Sequence, residues 1–255
     1  MTALPTWDLK DFYDSYQSKK ISKDILSLDR LAKKFANLYK NNLSAISSKD
    51  LVKSLFDYET LEEKISYIKS FAFLTHCTDQ LNTDKTKFFQ FIQEKMSDIE
   101  KNTIFYTIEI NKLSKKKLSH LINTKYASWV INLNKIKKYQ KTEQVESLLM
   151  EKSITSSSAW IKFFDQTMAR LKFPYKGKVL TETEMLNLFS SSNAQVRKDA
   201  AISFGTTLKN NIFNFTCVMN NISKDLDIEK NLRGFEFSES SRHLSNQIEK
   251  KDVDS

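Results

Sequence analysis

The side chains able to hold a metal ion or attack a substrate are few and scattered. Three histidines, His76, His120 and His243, stand far apart, and none has another histidine three to five residues away. His76 and Cys77 are neighbours, but adjacent residues on a helix diverge by ~100° and do not share a face. The sequence holds no His-Glu-x-x-His, no Cys-x-x-Cys and no metal-binding Asp-rich loop. The first of these would set two zinc ligands one helical turn apart, with a carboxylate to activate water. Glycine occurs only at 177, 205 and 234, so neither a phosphate cradle nor a Gly-x-Ser-x-Gly elbow can be written. Cys77 and Cys217 sit among apolar residues at helical spacing, which predicts buried, inert thiols. Taken alone, the chain offers no catalytic, cofactor-binding or metal-binding constellation.

The elements that would have to position any chemistry are helices. Three Gly and two Pro in 255 residues are too few for a sandwich, a barrel or a doubly wound sheet, which need frequent turns. A hydrophobic fraction of 40%, with 18 Phe and 9 Tyr, argues for a packed core and against disorder. No stretch approaches the ~20 apolar residues of a membrane span. The N-terminus lacks a basic segment followed by an apolar run, and two cysteines fit a reducing compartment, so a cytoplasmic protein is expected.

A net charge of +9 permits a nucleic-acid footprint only if the charges cluster beside stacking aromatics. The densest runs, Lys115-Lys116-Lys117 and Lys135-Ile136-Lys137-Lys138, read as solvated helix ends or faces. Nucleic acid is not an expected partner.

Apolar residues recur at steps of three and four almost from end to end. Ile21, Ile25, Leu28, Ala32, Phe35 and Tyr39 form one stripe; Leu61, Ile65, Ile68, Ala72 and Thr75, widened by Phe71 and Leu74, form another. Phe88, Ile92, Met96 and Ile99 continue through Thr103-Ile104 to Ile108, predicting one long arm from about Asp84 to Ile110. Tyr126, Trp129, Val130, Leu133 and Ile136 share a face. Trp160, Phe163, Phe164, Thr167 and Leu171 share the next; Val196, Ala200, Phe204 and Leu208 lead into Ile212, Phe215, Met219, Ile222 and Leu226. These aromatics read as core, so Trp160→Ala or Phe163→Ala should cost about 3–5 kcal/mol. Polar breaks fall at Asn41-Asn42, Asn82 to Asp84, Asn111 to Ser114 and Asn123-Thr124, and Ser156 or Ser157 is an N-cap candidate.

One interruption differs in kind. Pro174 cannot donate a backbone hydrogen bond and Gly177 can take a positive φ, so Phe173 to Leu180 reads as a small hairpin. Thr181 and Glu184 then supply a capping box for the following helix. The fold class is all-α, an antiparallel helical bundle or array with one hairpin near residues 172–180. The hairpin divides a front helical region, 1–171, from a rear region, 172–255.

Leu4-Pro5-Thr6-Trp7-Asp8, Leu171-Lys172-Phe173, Val196-Arg197 and Leu232-Arg233-Gly234-Phe235 stand in an order that resembles the oligoendopeptidase F family of cytoplasmic zinc metallopeptidases of the thimet-oligopeptidase type. Leu4-Pro5-Thr6-Trp7-Asp8-Leu9-Lys10-Asp11-Phe12-Tyr13 is similar to that family's L-P-x-W-D-L-x-D-L-Y start. Leu171-Lys172-Phe173, its hairpin, and Leu186-Asn187-Leu188-Phe189-Ser190-Ser191 resemble a second segment. Val196-Arg197-Lys198-Asp199-Ala200-Ala201 resembles a third, and Leu232-Arg233-Gly234-Phe235 with Ser241-Arg242-His243-Leu244 a fourth. Together they span about Leu4 to Val253.

The resemblance implies an N-terminal region that forms part of the wall of a deep channel admitting short peptides. The family's zinc ligands, on a His-Glu-x-x-His helix and a later helix, match no position here. Catalytic, cofactor-binding and metal residues are therefore none, zinc belongs to the full-length family only, and the chain is expected to be truncated before the zinc motif and inactive alone. A separately encoded catalytic half is one expected partner, docking on apolar faces; an interrupted gene product without that partner is the other version. The rival reading is a stand-alone helical module whose basic surface holds a protein or acidic partner.

Overall fold

A computed structural model describes residues 8–255. The Leu4 to Trp7 part of the opening motif lies outside the described residues, and Asp8 caps a short 3-10 turn at Leu9–Asp11. Helix α1 (Lys19–Tyr39) starts at Ser18, whose hydroxyl accepts from the Lys20 backbone N–H at 3.3 Å. Helix α2 (Ser48–Cys77) starts at Ser47 and α3 (Thr83–Glu100) at Asn82, each side-chain oxygen accepting from N–H groups of the first turn. Such caps supply acceptors for donors that the helix itself cannot pair.

The stripes read from the sequence close on one another. Ile21, Ile25, Leu28, Ala32, Phe35 and Tyr39 are all buried, as are Leu61, Ile65, Ile68, Phe71, Ala72 and Thr75. Helix α2 packs against both α1 and α3. Leu51, Ile92 and Met96 complete the centre of this core with no exposed surface.

The expected single arm from Asp84 to Ile110 is in fact two helices, α3 and α4 (Ile104–Ile110). Residues 101–103 break it because their side chains compete for backbone acceptors. Asn102 donates its side-chain N–H to the Ile99 carbonyl at 3.1 Å, and the Thr103 hydroxyl donates to the Glu100 carbonyl at 2.9 Å. The bend carries Phe105 and Tyr106 into the core, where Tyr106 stacks on Tyr58 with ring centroids 4.7 Å apart. The Tyr106 hydroxyl shares a hydrogen bond with Ser54 at 2.8 Å, so its polar end is not stranded.

Helices α5 (Lys115–Ile122) and α6 (Ala127–Ile136) follow, separated at the polar breaks that the sequence marks. Lys115 and Lys116 are solvated as expected, but Lys117 is not. Its Nζ donates to the Leu43, Ser44 and Ile46 carbonyls at 3.3, 2.8 and 2.7 Å, fastening α5 to the α1–α2 turn.

Beyond α6 come α7 (Glu143–Ser153) and α8 (Ser157–Arg170), then strands β1 (Phe173–Tyr175) and β2 (Lys178–Leu180). The strands pair antiparallel with Phe173 opposite Leu180, and Lys176 and Gly177 turn the chain at φ of 47° and 75°. Positive φ at both central residues is the geometry of a tight hairpin, and it uses Lys176 as well as the expected Gly177. The capping box forms: the Glu184 N–H bonds to the Thr181 hydroxyl, and the Glu184 carboxylate accepts from the Thr181 N–H at 2.7 Å. It opens α9 (Glu182–Leu188), after which come α10 (Ala194–Asn210), α11 (Ile212–Arg233), α12 (Ser240–Asn246) and α13 (Lys250–Asp254).

The rear of the chain buries far less than the sequence suggests. Its core is Phe173, Met185 and Ala200, with Phe204 stacked on Phe173 at 5.0 Å. No residue of α8 is buried, and in α11 only Val218 is. Trp160, Phe163 and Phe164 are therefore not core positions; Phe163 is 41% exposed. Helix α8 packs on α11, where Phe164 meets Phe215, but one neighbour covers one side of a helix and leaves the remaining apolar residues to solvent. Met219 is 66% exposed and Phe213 77%. Ser156 stands at the N-cap of α8, yet its hydroxyl makes no capping bond.

This division has a measurable consequence. Ile65→Ala should lower unfolding stability by about 2–5 kcal/mol in urea, whereas Phe213→Ala should change it by no more than about 0.5 kcal/mol. Equal losses would mean that the two halves are buried alike.

Candidate functional site

The histidines and cysteines do not meet. His76, near the end of α2, is buried and stacks on Phe89 with centroids 5.1 Å apart; its Nδ1 lies 3.4 Å from the Thr86 hydroxyl. Burial, then the Lys162 charge, push its pKa down despite Asp165. His120 belongs to α5 and His243 to α12. The expected burial of the thiols fails: Cys77 is exposed and Cys217 half-buried. Both lie where the helices turn an apolar stripe outward. Desolvation, then Asp165, nevertheless raise the Cys77 pKa, so it is not an activated thiol. Among the described residues, no three His, Cys, Asp or Glu side chains converge on a point that could hold a metal ion. The residues present do not fit a catalytic zinc.

What the fold does build is a cleft of about 990 Å³ between its front and rear helices. Tyr58 and Glu62 of α2, Glu100 of α3 and Thr107 of α4 form one side; Asp225, Ile228 and Arg233 of α11 and Leu244 of α12 form the other. Helix α7 joins the two sides through Glu146, Leu149 and Met150. Five carboxylates and only two cations, Lys152 and Arg233, line it, although the protein as a whole carries +9. Local potential here is set by the lining and not by the net charge.

The carboxylates divide by their partners. Glu100 takes an ion pair from Lys69 at 2.9 Å. Burial, then repulsion from Glu100, raise the Glu62 pKa against the opposing pull of Tyr58 and Lys69. Glu146 shows the reverse balance. Burial alone would raise it, but hydrogen bonds from the Arg233 guanidinium and the Lys141 backbone N–H hold it below the usual carboxylate range. The Arg233–Glu146 contact is a two-pronged fork with N–O distances of 2.9 and 3.0 Å. Glu229, one turn back on α11, accepts from Arg233 Nε at 2.7 Å.

The architecture is a helical array enclosing an open cleft with a hydroxyl- and carboxylate-rich lining. Comparison with known proteins shows what it is similar to. Residues 109–173 match the family model described as Oligopeptidase F, a stretch running from the end of α4 through α8 to β1. The fold is similar to that of oligoendopeptidase-F from Enterococcus faecium, with a TM-score of 0.78 and 16% identity over 92% of this chain and 47% of that one. It is also similar to a “putative peptidase” from Chlamydophila abortus, with a TM-score of 0.54 and 15% identity over 96% of this chain and 42% of that one. No curated protein matches the sequence. The family match thus covers residues 109–173, and the fold as a whole is similar to rather less than half of that oligoendopeptidase-F. Of the motifs quoted from the sequence, only Leu171-Lys172-Phe173 falls within the matched residues.

The lowered pKa of Glu146 makes stability depend on pH in a defined direction. A carboxylate depressed in the folded state adds stability that is complete above its unfolded pKa and is lost as pH falls through the folded one. Wild type should exceed Glu146→Gln in urea-unfolding stability at neutral pH, and the gap should shrink as pH drops below the ordinary glutamate range. A gap constant across that range would contradict the assignment.

Proposed function

We propose that this chain is the channel-wall part of an oligoendopeptidase F-like zinc metallopeptidase that acts on short peptides, and that it selects substrates without cutting them. The observation that carries this is the fold match over 92% of the chain to oligoendopeptidase-F, joined to the family match at residues 109–173. The chain spans under half the length of the solved structures it matches, so the reaction itself is assigned to zinc-bearing residues outside these 255. In this reading residues 1–171 form the helical wall, and residues 172–255 begin the part that leads toward the reaction centre. The partner is a catalytic portion of complementary apolar surface, and the setting is cytoplasmic.

Physically, the reading needs a rigid concave surface that excludes folded proteins by size, and the densely packed α1–α3 core supplies the rigidity. Exposed Phe213, Met219 and Ile228 supply apolar surface suited to a large neighbour.

The test uses the 255-residue chain and its native cell extract. The purified chain should bind no stoichiometric zinc and cleave no quenched-fluorescence peptide. A complex captured on the chain from native extract should contain zinc in equal proportion and cleave such peptides until a chelator is added. Chelator-sensitive cleavage by the clean chain itself, or a zinc-free and inactive native complex, overturns the proposal.

A further inference from the structure

The segment between the two cores has little apolar material to hold it. Helices α7 and α8 contain no buried residue and α11 contains one, Val218. Yet the end of α11 is fixed against α7 by a concentrated set of polar contacts. Arg233 and Glu146, 87 residues apart, form the fork, with side chains only 16% and 18% exposed. Glu146 spends its remaining capacity on the Lys141 N–H at 2.8 Å, and Arg233 reaches the Tyr139 carbonyl at 3.4 Å. Next to them the Tyr139 and Phe235 rings meet with centroids 4.5 Å apart. Gly234, at φ 75°, lets the chain turn directly after Arg233, so that the arginine and Phe235 grip the same segment.

We propose that Arg233 is a latch: its fork onto Glu146 holds the α11–α12 side of the cleft at a set distance from the α2–α4 side, and its release lets the cleft change width. The chemistry suits the role. The α11 side packs on α8 but has almost no buried apolar anchor, so its tie to α7 rests on an interaction that is directional and broken at one point, unlike a packed core. Glu229 aims the guanidinium but belongs to the same helix, so it orients the latch without bridging the cleft. Arg233 and Glu146 are thus positioning residues. The inference goes beyond the channel-wall reading and would stand if that reading failed.

The experiment measures the cleft directly. With Cys77 and Cys217 replaced by serine, nitroxide labels at Glu63→Cys on α2 and Asn231→Cys in the last turn of α11 report the distance between the two sides by pulsed electron resonance. The starting protein should give one narrow distribution. Arg233→Lys, which keeps charge but loses the fork, and Glu146→Gln should each broaden it by several ångströms toward longer distances, with the helical circular-dichroism signal retained. The exchanged pair Glu146→Arg with Arg233→Glu should narrow it again, and Glu229→Gln should leave it unchanged. An unchanged distribution in both Arg233→Lys and Glu146→Gln overturns the latch. So does loss of helical signal in both, because the pair would then hold the fold together and not the cleft, and so does a Glu229→Gln effect as large as that of Glu146→Gln.

Discussion

The structure depends on an unequal distribution of buried apolar surface. Nearly all of it lies between Tyr13 and Val130, where α1, α2 and α3 bury their stripes against one another and α4 to α6 close over them. At roughly 25 cal/mol per Å² of apolar area, a contiguous core of this kind dominates the free energy of folding. The rear helices cannot draw on it. They rest on a small nucleus around Phe173, Met185 and Ala200 and on directional contacts such as the Arg233–Glu146 fork. A rigid body thus carries an arm that is well placed but lightly anchored, and the cleft lies between them.

That inequality explains how far the sequence could be read. Periodicity reports which residues share a helical face, and for α1 to α3 the predicted faces are the ones turned inward, with only Leu74 and Phe88 half-buried. It does not report whether a neighbour covers the face. Trp160, Phe163 and Phe164 keep a correct spacing on α8, and α11 keeps Phe215 and Met219 on its own, but each helix has a single main neighbour in the other. The same limit explains Cys77 and Cys217, whose apolar surroundings in sequence are not matched by burial in space. The split between α3 and α4 was legible in principle, since Asn102 and Thr103 are residues that bond their own backbone, but the unbroken apolar spacing around them outweighed that signal.

The cleft was the least legible feature. Its lining comes from positions between Tyr58 and Ser245, each unremarkable in its own stretch of sequence. The Arg233-Gly234-Phe235 turn was the one readable fragment, noted for its resemblance to a family segment and not for any contact. Its partner Glu146 carried no signal, because an ion pair spanning 87 residues leaves no local pattern. Lys117 teaches the same lesson on a smaller scale. Within a run of three lysines, only tertiary structure tells which one leaves solvent to bind three carbonyls.

The carboxylates of the lining are mostly engaged by neighbouring cations. Carboxylates that act as acid and base need a reacting atom held between them and pKa values pushed apart for that purpose. Here Glu100 is engaged by Lys69, Glu146 and Glu229 by Arg233, and the raised pKa of Glu62 follows from burial and from Glu100. Engaged carboxylates hold structure and shape a potential.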